Sequence, residues 1–293
     1  MSDKEFKSIE EQLDILRNRG LKIIDDEKAK SFLLHNNYYR ISGYSLTLRK
    51  HDVFSKYATF QNIIDIYGFD QELRHILLKY IEIIEVKFKS IYSYEFTKIC
   101  GAIGYLNSSN FTNDLKYSEI IHKAEQQKRK RLQHEAYLKH YIVDLKQDIP
   151  LWAYVDLMTI ADISFLYSIS QMKIKKEIAS RFGLTMKHSD ELLSRFMHSM
   201  TIIRNLCAHG CRLYNRLFEQ RPSLNRAELS LLYKNSDGTV DNAHLFGFVF
   251  IIRRLLSSNN FLDMKSEVIE ITHKYPFVRM GYYGFRDDWK EKI

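Results

Sequence analysis

Asp70-Gln71-Glu72-Leu73-Arg74-His75-Ile76-Leu77-Leu78-Lys79-Tyr80-Ile81-Glu82-Ile83-Ile84-Glu85-Val86-Lys87-Phe88-Lys89-Ser90-Ile91 carries the fold class of this chain. Large apolar residues recur at Leu73, Ile76, Leu77, Tyr80, Ile81, Ile84, Phe88 and Ile91, in steps that keep one side of a 3.6-residue helix apolar. Most of the charged residues of the run fall between them, and neither proline nor glycine interrupts it. The spacing predicts a helix from about Asp70 to Phe96.

Working outward, the same periodicity returns. A charged first helix is expected from about Glu5 to Arg19, ending at Gly20, and a second segment ends near His35. A polar loop over Asn107 to Lys116 precedes a basic helix from about Ser118 to Lys146, and Pro150 opens another. The segment around Ser189 to Arg216, helical through the motif described below, follows. Arg221-Pro222-Ser223 and Asn235-Ser236-Asp237-Gly238 are turn signals, and two closing helices fill about His244 to His273. The tail from Gly281-Tyr282-Tyr283-Gly284-Phe285 to Trp289 reads as an aromatic clasp. Only three prolines and eleven glycines punctuate the chain, and no alternating strand pattern of comparable length appears. The class is all-α. With no internal repeat and no low-complexity linker, residues 1–293 are expected to form one helical body.

Lys and Arg number 44 against 36 Asp and Glu, a formal charge of +8 that favours polyanionic partners. The sharpest concentration is Lys128-Arg129-Lys130-Arg131, flanked by Lys123 and Lys139. Two readings stand: a solvated helix face, or a patch that tracks phosphates. No apolar stretch follows Met1-Ser2-Asp3-Lys4, and the most apolar run, Leu245 to Ile252, falls short of the roughly 20 residues that span a bilayer. The expectation is a cytoplasmic protein without membrane contact, a compartment that suits three reduced cysteines, Cys100, Cys207 and Cys211.

Chemistry concentrates in Arg204-Asn205-Leu206-Cys207-Ala208-His209-Gly210-Cys211-Arg212-Leu213-Tyr214-Asn215-Arg216. A guanidinium grips a phosphate in a fork and offsets developing charge, while an imidazole moves a proton near neutral pH. Together they are what metal-free phosphodiester cleavage needs. On an unbroken helix Asn205, His209, Arg212 and Arg216 form one cationic stripe, making Arg212 and Arg216 candidate RNA contacts beside Lys128 to Arg131. Ile203, Leu206, Leu213 and Leu217 form a neighbouring stripe for packing. Arg204 lies about 100° around an ideal helix from the cationic stripe, so either its side chain reaches across or Gly210 distorts the helix. Cys207-x-His209-x-Cys211 invites a zinc reading, but structural zinc takes four ligands and no second cysteine pair exists, so no metal is expected. A lone histidine is most simply a satisfied core residue; Arg204 and Asn205 beside His209 shift the reading toward function. Tyr38, Tyr39 and Tyr44 fit either buried rings with satisfied hydroxyls or platforms for bases. Asp70 with Arg74 and Glu85 with Lys89 are i, i+4 pairs that support a helix surface.

The Arg-x4-His pattern with Asn after the Arg resembles the signature of HEPN ribonucleases. The longer string from Arg204 to Arg216 resembles, more narrowly, the abortive-infection (Abi) family of bacterial phage-defence proteins, of the Abi-D/Abi-F type. Three further segments are similar to that family: Asn37-Tyr38-Tyr39-Arg40-Ile41-Ser42-Gly43-Tyr44, Tyr67-Gly68-Phe69-Asp70-Gln71-Glu72-Leu73-Arg74 leading into Ile81-Glu82-Ile83-Ile84-Glu85, and Pro150-Leu151-Trp152. One departure is that Asp156 and Ile160-Ala161 stand where the family tends to carry a glutamate and a Phe-Gly pair.

The resemblance implies a multi-helix HEPN-like bundle with a core over about 61–220 and extra N- and C-terminal helices. It implies a metal-independent endoribonuclease toxin without cofactor, leaving a 2′,3′-cyclic phosphate and a 5′-hydroxyl on its RNA substrate. It also implies restraint by a cognate small non-coding RNA, and a homodimer or higher oligomer in which two motifs share a cleft. Arg204 would then hold the nonbridging oxygens, His209 carry a proton, and Asn205 fix the imidazole or the phosphate. Asp70, Arg74 and Glu82 would support them by orienting Arg204 or His209. A non-catalytic RNA-binding helical module, in which the same residues only grip phosphate, stays open beside this, as does a purely structural helical protein.

Overall fold

In the computed structural model, which describes residues 5–235 and 237–293, the chain runs through fourteen α-helices among those residues. They are α1 (Ile9–Asn18), α2 (Asp26–Asn36), α3 (Tyr38–Tyr44), α4 (Phe60–Cys100), α5 (Asp114–Arg131), α6 (Ala136–Lys139) and α7 (Leu151–Tyr154). The series continues with α8 (Ile160–Ile169), α9 (Met172–Arg181), α10 (Ser189–Ala208), α11 (Arg226–Ser230), α12 (Phe246–Leu255), α13 (Ser258–Lys274) and α14 (Trp289–Lys292). A small antiparallel hairpin before α4 pairs Arg49 with Phe54 and Lys50 with Val53. The fold is all-α. No helix among the described residues is long and apolar enough to cross a membrane.

The run from Asp70 to Ile91 lies inside α4, a 41-residue helix longer than its periodicity predicts at both ends. Thr59 and Asn62 form a capping box at its start, and Gly101, at φ +83, ends it. Leu73, Ile76, Leu77, Tyr80, Ile81, Ile84 and Phe88 are all buried, while Ile91 is half-buried. Gly68 sits within this helix because α13 comes too close for a side chain: a Cβ there would lie 2.8 Å from the Tyr275 hydroxyl. Polar clamps close the same contact. Lys274 and Tyr275 donate to Glu72 at 2.6 and 2.7 Å, and Lys79 and Tyr80 donate to Glu267 at 2.6 and 2.7 Å.

Around α4 pack α13, α10, α9 and α3, and α10 in turn lies against α8, α9 and α12. The predicted basic helix from Ser118 to Lys146 is not one helix. Asn113 caps it earlier, at Asp114, and it stops at Arg131, because its buried stripe of Tyr117, Ile120 and Ala124 runs out into charged residues. The chain then turns through α6, which buries Leu138, and a π-helical turn over His140–Asp144. The aromatic tail does clasp: Tyr283, Phe285 and Trp289 are buried, with Phe285 packed 4.4 Å from the Phe246 ring.

One buried carboxylate ties these layers together. Asp70 on α4 is wholly inaccessible. Its oxygens accept from the Tyr44 hydroxyl of α3 at 2.8 Å, the Tyr214 N–H at 2.8 Å, the Leu213 N–H at 3.2 Å and the Tyr283 hydroxyl at 3.0 Å. Arg74, one turn along α4, also donates to it. Burial pushes the Asp70 carboxyl above the usual carboxylate range, and Arg74, Tyr44, Leu213 and Tyr283 pull it back. The surface-pair reading of Asp70 with Arg74 is therefore corrected: both are interior.

Removing Asp70 leaves Arg74 buried without a counter-charge. Asp70→Ala is expected to cost about 3–5 kcal/mol, the usual penalty for breaking a buried pair from one side. Tyr283→Phe, which removes one donor, should cost about 1 kcal/mol. Urea denaturation followed by circular dichroism checks both; equal small losses would contradict the central role of the carboxylate.

Candidate active site

Helix α10 ends at Ala208, well before Arg216. His209 is its C-cap, and Gly210 takes the left-handed conformation at φ +63. The Gly210 N–H bonds to the Cys207 carbonyl at 3.1 Å and the Cys211 N–H to the Leu206 carbonyl at 2.8 Å. This is the double-bonded Schellman ending that glycine permits. Consequently the stripe through Asn205, His209, Arg212 and Arg216 does not form. Of the packing stripe, Ile203 and Leu213 are buried, but Leu217 is exposed.

Beyond the turn, distant segments hold the chain in place. Arg40 of α3 donates to the Gly210 carbonyl, and Arg74 reaches the Cys211 carbonyl at 3.5 Å. Asp70 takes the backbone N–H groups of Leu213 and Tyr214, and Thr47 meets the Tyr214 hydroxyl at 2.6 Å. Arg212 is turned onto the carbonyls of Tyr214 and Asn215 and lies against Gly43, where a Cβ would come within 3.2 Å of its Nε. Arg216 donates to the Arg212 carbonyl at 3.4 Å and covers the Phe218 ring. Both arginines, read as RNA contacts on a helix face, lie outside the helix, are half-buried and bond to carbonyls of the turn. Tyr44 has a buried ring with a bonded hydroxyl, whereas Tyr38 is half-buried and Tyr39 is exposed. Asp70 and Arg74 thus anchor the segment after His209; neither touches Arg204 or the imidazole.

Arg204 faces the other way, into a cleft of about 530 Å³ between α4, α10 and the segment around α7. Its Nε lies 3.8 Å from Glu85 Oε2, and the same carboxylate is 3.0 Å from Lys89. Glu82, Trp152, Asp156 and Ala208 also form its walls. Glu82, expected to orient the motif, lines this cleft as an exposed side chain; Glu85 is the residue that meets the guanidinium. The pair is partly solvated, so it contributes no more than about 1 kcal/mol of stability. Its effect is to aim the guanidinium. No spacing rule links Glu85 to Arg204, because only the packing of α10 on α4 brings them together.

His209 is exposed and follows the cleft residue Ala208 in the chain, though it does not itself line the cleft, and Asn205 is half-buried one turn before it. Asn205 accepts the His209 backbone N–H at 3.0 Å through its own carbonyl. Among the described residues the imidazole has no hydrogen-bond partner, which leaves both nitrogens open to a ligand. Burial pushes the neighbouring Cys207 thiol up to about 12, so it stays protonated and unreactive.

The basic run divides in two. Lys128 pairs with Glu125; Arg131 pairs with Glu135 at 2.6 Å and donates to the Asp156 carbonyl at 2.8 Å, tying α5 to the chain beside the cleft. Arg129 and Lys130 are exposed and, among the described residues, carry no ion pair. Lys128 and Arg129 also line a second, larger cleft of about 1090 Å³.

A family model described as Abi-like protein matches residues 31–215, a range that takes in α3, Asp70, Trp152 and the whole of the Arg204 to His209 motif. Neither curated proteins nor solved structures give a match.

The left-handed turn at Gly210 makes a direct stability test. Gly210→Ala is expected to cost about 1 kcal/mol, since a side chain disfavours positive φ and the new Cβ would lie 3.4 Å from Arg40. A thermal melt reads it, and an unchanged or raised midpoint would contradict this account of the helix ending.

Proposed function

The chain belongs to the Abi-like protein family, and on that footing we propose that it is a metal-independent endoribonuclease of the HEPN type that acts in abortive infection during phage defence. The observation that carries this reading is the end of α10: Arg204 lines a cleft beside Glu85, and the next residue after the cleft-lining Ala208 is His209, exposed and, among the described residues, without a hydrogen-bond partner for its imidazole.

The substrate provides the nucleophile. The 2′-oxygen of RNA attacks the adjacent phosphorus while the bond to the 5′-oxygen breaks, giving a 2′,3′-cyclic phosphate and a 5′-hydroxyl. One proton leaves the 2′-oxygen and one arrives at the 5′-oxygen. His209 carries one of these transfers, and each such group contributes about 10²–10⁴-fold. The Arg204 guanidinium offsets the charge that builds on the nonbridging oxygens. Asn205 lies four residues before His209, in the last turn of α10, where it fixes the imidazole or the phosphate. One copy supplies one histidine, so the second proton transfer calls for a second copy, and a homodimer that joins two motif ends is part of this proposal. A small structured RNA held on exposed cations such as Arg129 and Lys130 restrains the enzyme until infection.

His209→Ala is expected to lower RNA cleavage at least about a hundredfold and to abolish toxicity, with fold and RNA binding retained, because the side chain is exposed. Arg204→Ala should lower both turnover and affinity. Cleavage should survive chelator and fail on RNA carrying a 2′-deoxy sugar at the scissile nucleotide. Wild-type rates from His209→Ala, or loss of cleavage in EDTA, would overturn the mechanism; tight binding without cleavage would favour a non-catalytic RNA-binding module.

A further inference from the structure

Pro150-Leu151-Trp152 takes no part in the chemistry above, yet the fold holds it rigidly. Leu151 and Tyr154 are wholly buried, and the Leu151 N–H donates to the Ala102 carbonyl at 2.8 Å. The Tyr154 ring stacks on Tyr105 at 4.4 Å, and its hydroxyl donates to Glu125 at 2.9 Å. Between these two anchors Trp152 is left 53% exposed. A large aromatic ring fixed in water by buried neighbours on both sides has a surface it cannot fold away.

Trp152 also has a distinctive position. It lines the cleft that contains Arg204 and the larger cleft beside α5, and it is the residue the two share. The larger cleft carries Arg129 and Lys146, neither in an ion pair among the described residues, while Lys128 neutralises Glu125 and Asp148 is the remaining acid. Two clefts therefore meet across an exposed indole, with Arg204 and Lys89 among Glu82, Glu85 and Asp156 in one and unpaired cations in the other. Cations that follow a backbone and an aromatic face for a base are the two elements of single-strand recognition. A base inside a duplex is already stacked on its neighbours and has no free face to offer.

We propose that Trp152 is the stacking platform for an unpaired base of RNA, and that the strand runs from Arg204 across the indole to Arg129 and Lys146. The substrate is then a single-stranded or unpaired stretch, whose scissile phosphate lies in the Arg204 cleft and whose flanking nucleotide lies on Trp152. This rests on the RNA reading of the site and is separable from it.

The protein carries its own probe. Of its two tryptophans, Trp289 is buried, so a base stacking on the surface can quench only Trp152. The full chain carrying His209→Ala, which keeps the RNA intact, is titrated with a 5′-labelled single-stranded oligoadenylate; anisotropy reports binding and tryptophan emission reports stacking. Binding is expected to quench a large part of the emission. Added Trp152→Phe should abolish the quench and keep most of the affinity, whereas Trp152→Ala should weaken binding about tenfold, within the range for loss of one base–aromatic stack. Arg129→Ala with Lys146→Ala should reduce the slope of log affinity against log salt by roughly 0.7 for each phosphate that is no longer neutralised. Binding without quenching, wild-type affinity in Trp152→Ala, or equal affinity and quenching with duplex RNA would overturn the platform while the ribonuclease reading stands. Failure to bind any RNA by anisotropy would overturn both.

Discussion

A carboxylate with no access to water needs its charge answered on every side, and at Asp70 the answer comes from four separate parts of the chain. Tyr44 belongs to α3, Arg74 to α4 itself, Leu213 and Tyr214 to the segment after α10, and Tyr283 to the tail. Each of these groups donates to the carboxylate, so the site is built around the anion. Desolvating a carboxylate costs several kcal/mol unless the partners are all in place. The N-terminal helices, the long helix, the motif and the aromatic tail are thereby made to assemble together, because any one of them missing leaves charge unanswered.

That constraint reaches the candidate active site through the backbone. Helix α10 has to end after Ala208 so that Leu213 and Tyr214 can turn their N–H groups toward Asp70, and Gly210 supplies the left-handed turn that makes this possible. The ending leaves His209 as the last residue before the anchored segment, exposed and unpartnered, while Arg204 one turn inside the helix points to α4 and Glu85. A rigid, buried network thus supports an exposed imidazole and a half-buried guanidinium at the end of α10. Arg212 and Arg216, which would add charge on a longer helix, hold the turn.

The charge of the molecule is distributed by the same logic. Its excess of basic residues is not one surface stripe: some cations neutralise neighbouring acids, as Lys128 does for Glu125, and some hold backbone carbonyls, as Arg131 does for Asp156. Arg129 and Lys146 remain unpaired among the described residues, and both lie on the cleft that Trp152 joins to the one containing Arg204. Net charge alone therefore says little about where an anion would bind. The positions of the unanswered cations say more.

Local periodicity made the helical class legible from sequence, since a stripe such as Leu73, Ile76, Leu77, Tyr80, Ile81, Ile84 and Phe88 has to be buried on one side wherever the helix packs. The motif from Arg204 to His209 was legible for the same reason: its members lie within two turns of one another. What lay beyond reach was everything decided by contact between distant segments. The helix of the motif ends at Ala208 rather than carrying its stripe to Arg216, Asp70 and Arg74 leave the surface for the interior, and Glu85 rather than Glu82 meets Arg204. Sequence spacing describes a residue's neighbours along one helix. Which charge answers which, and which aromatic ring is left in water between two clefts, depends on how α10, α4 and α7 pack, and so only the tertiary structure decided it.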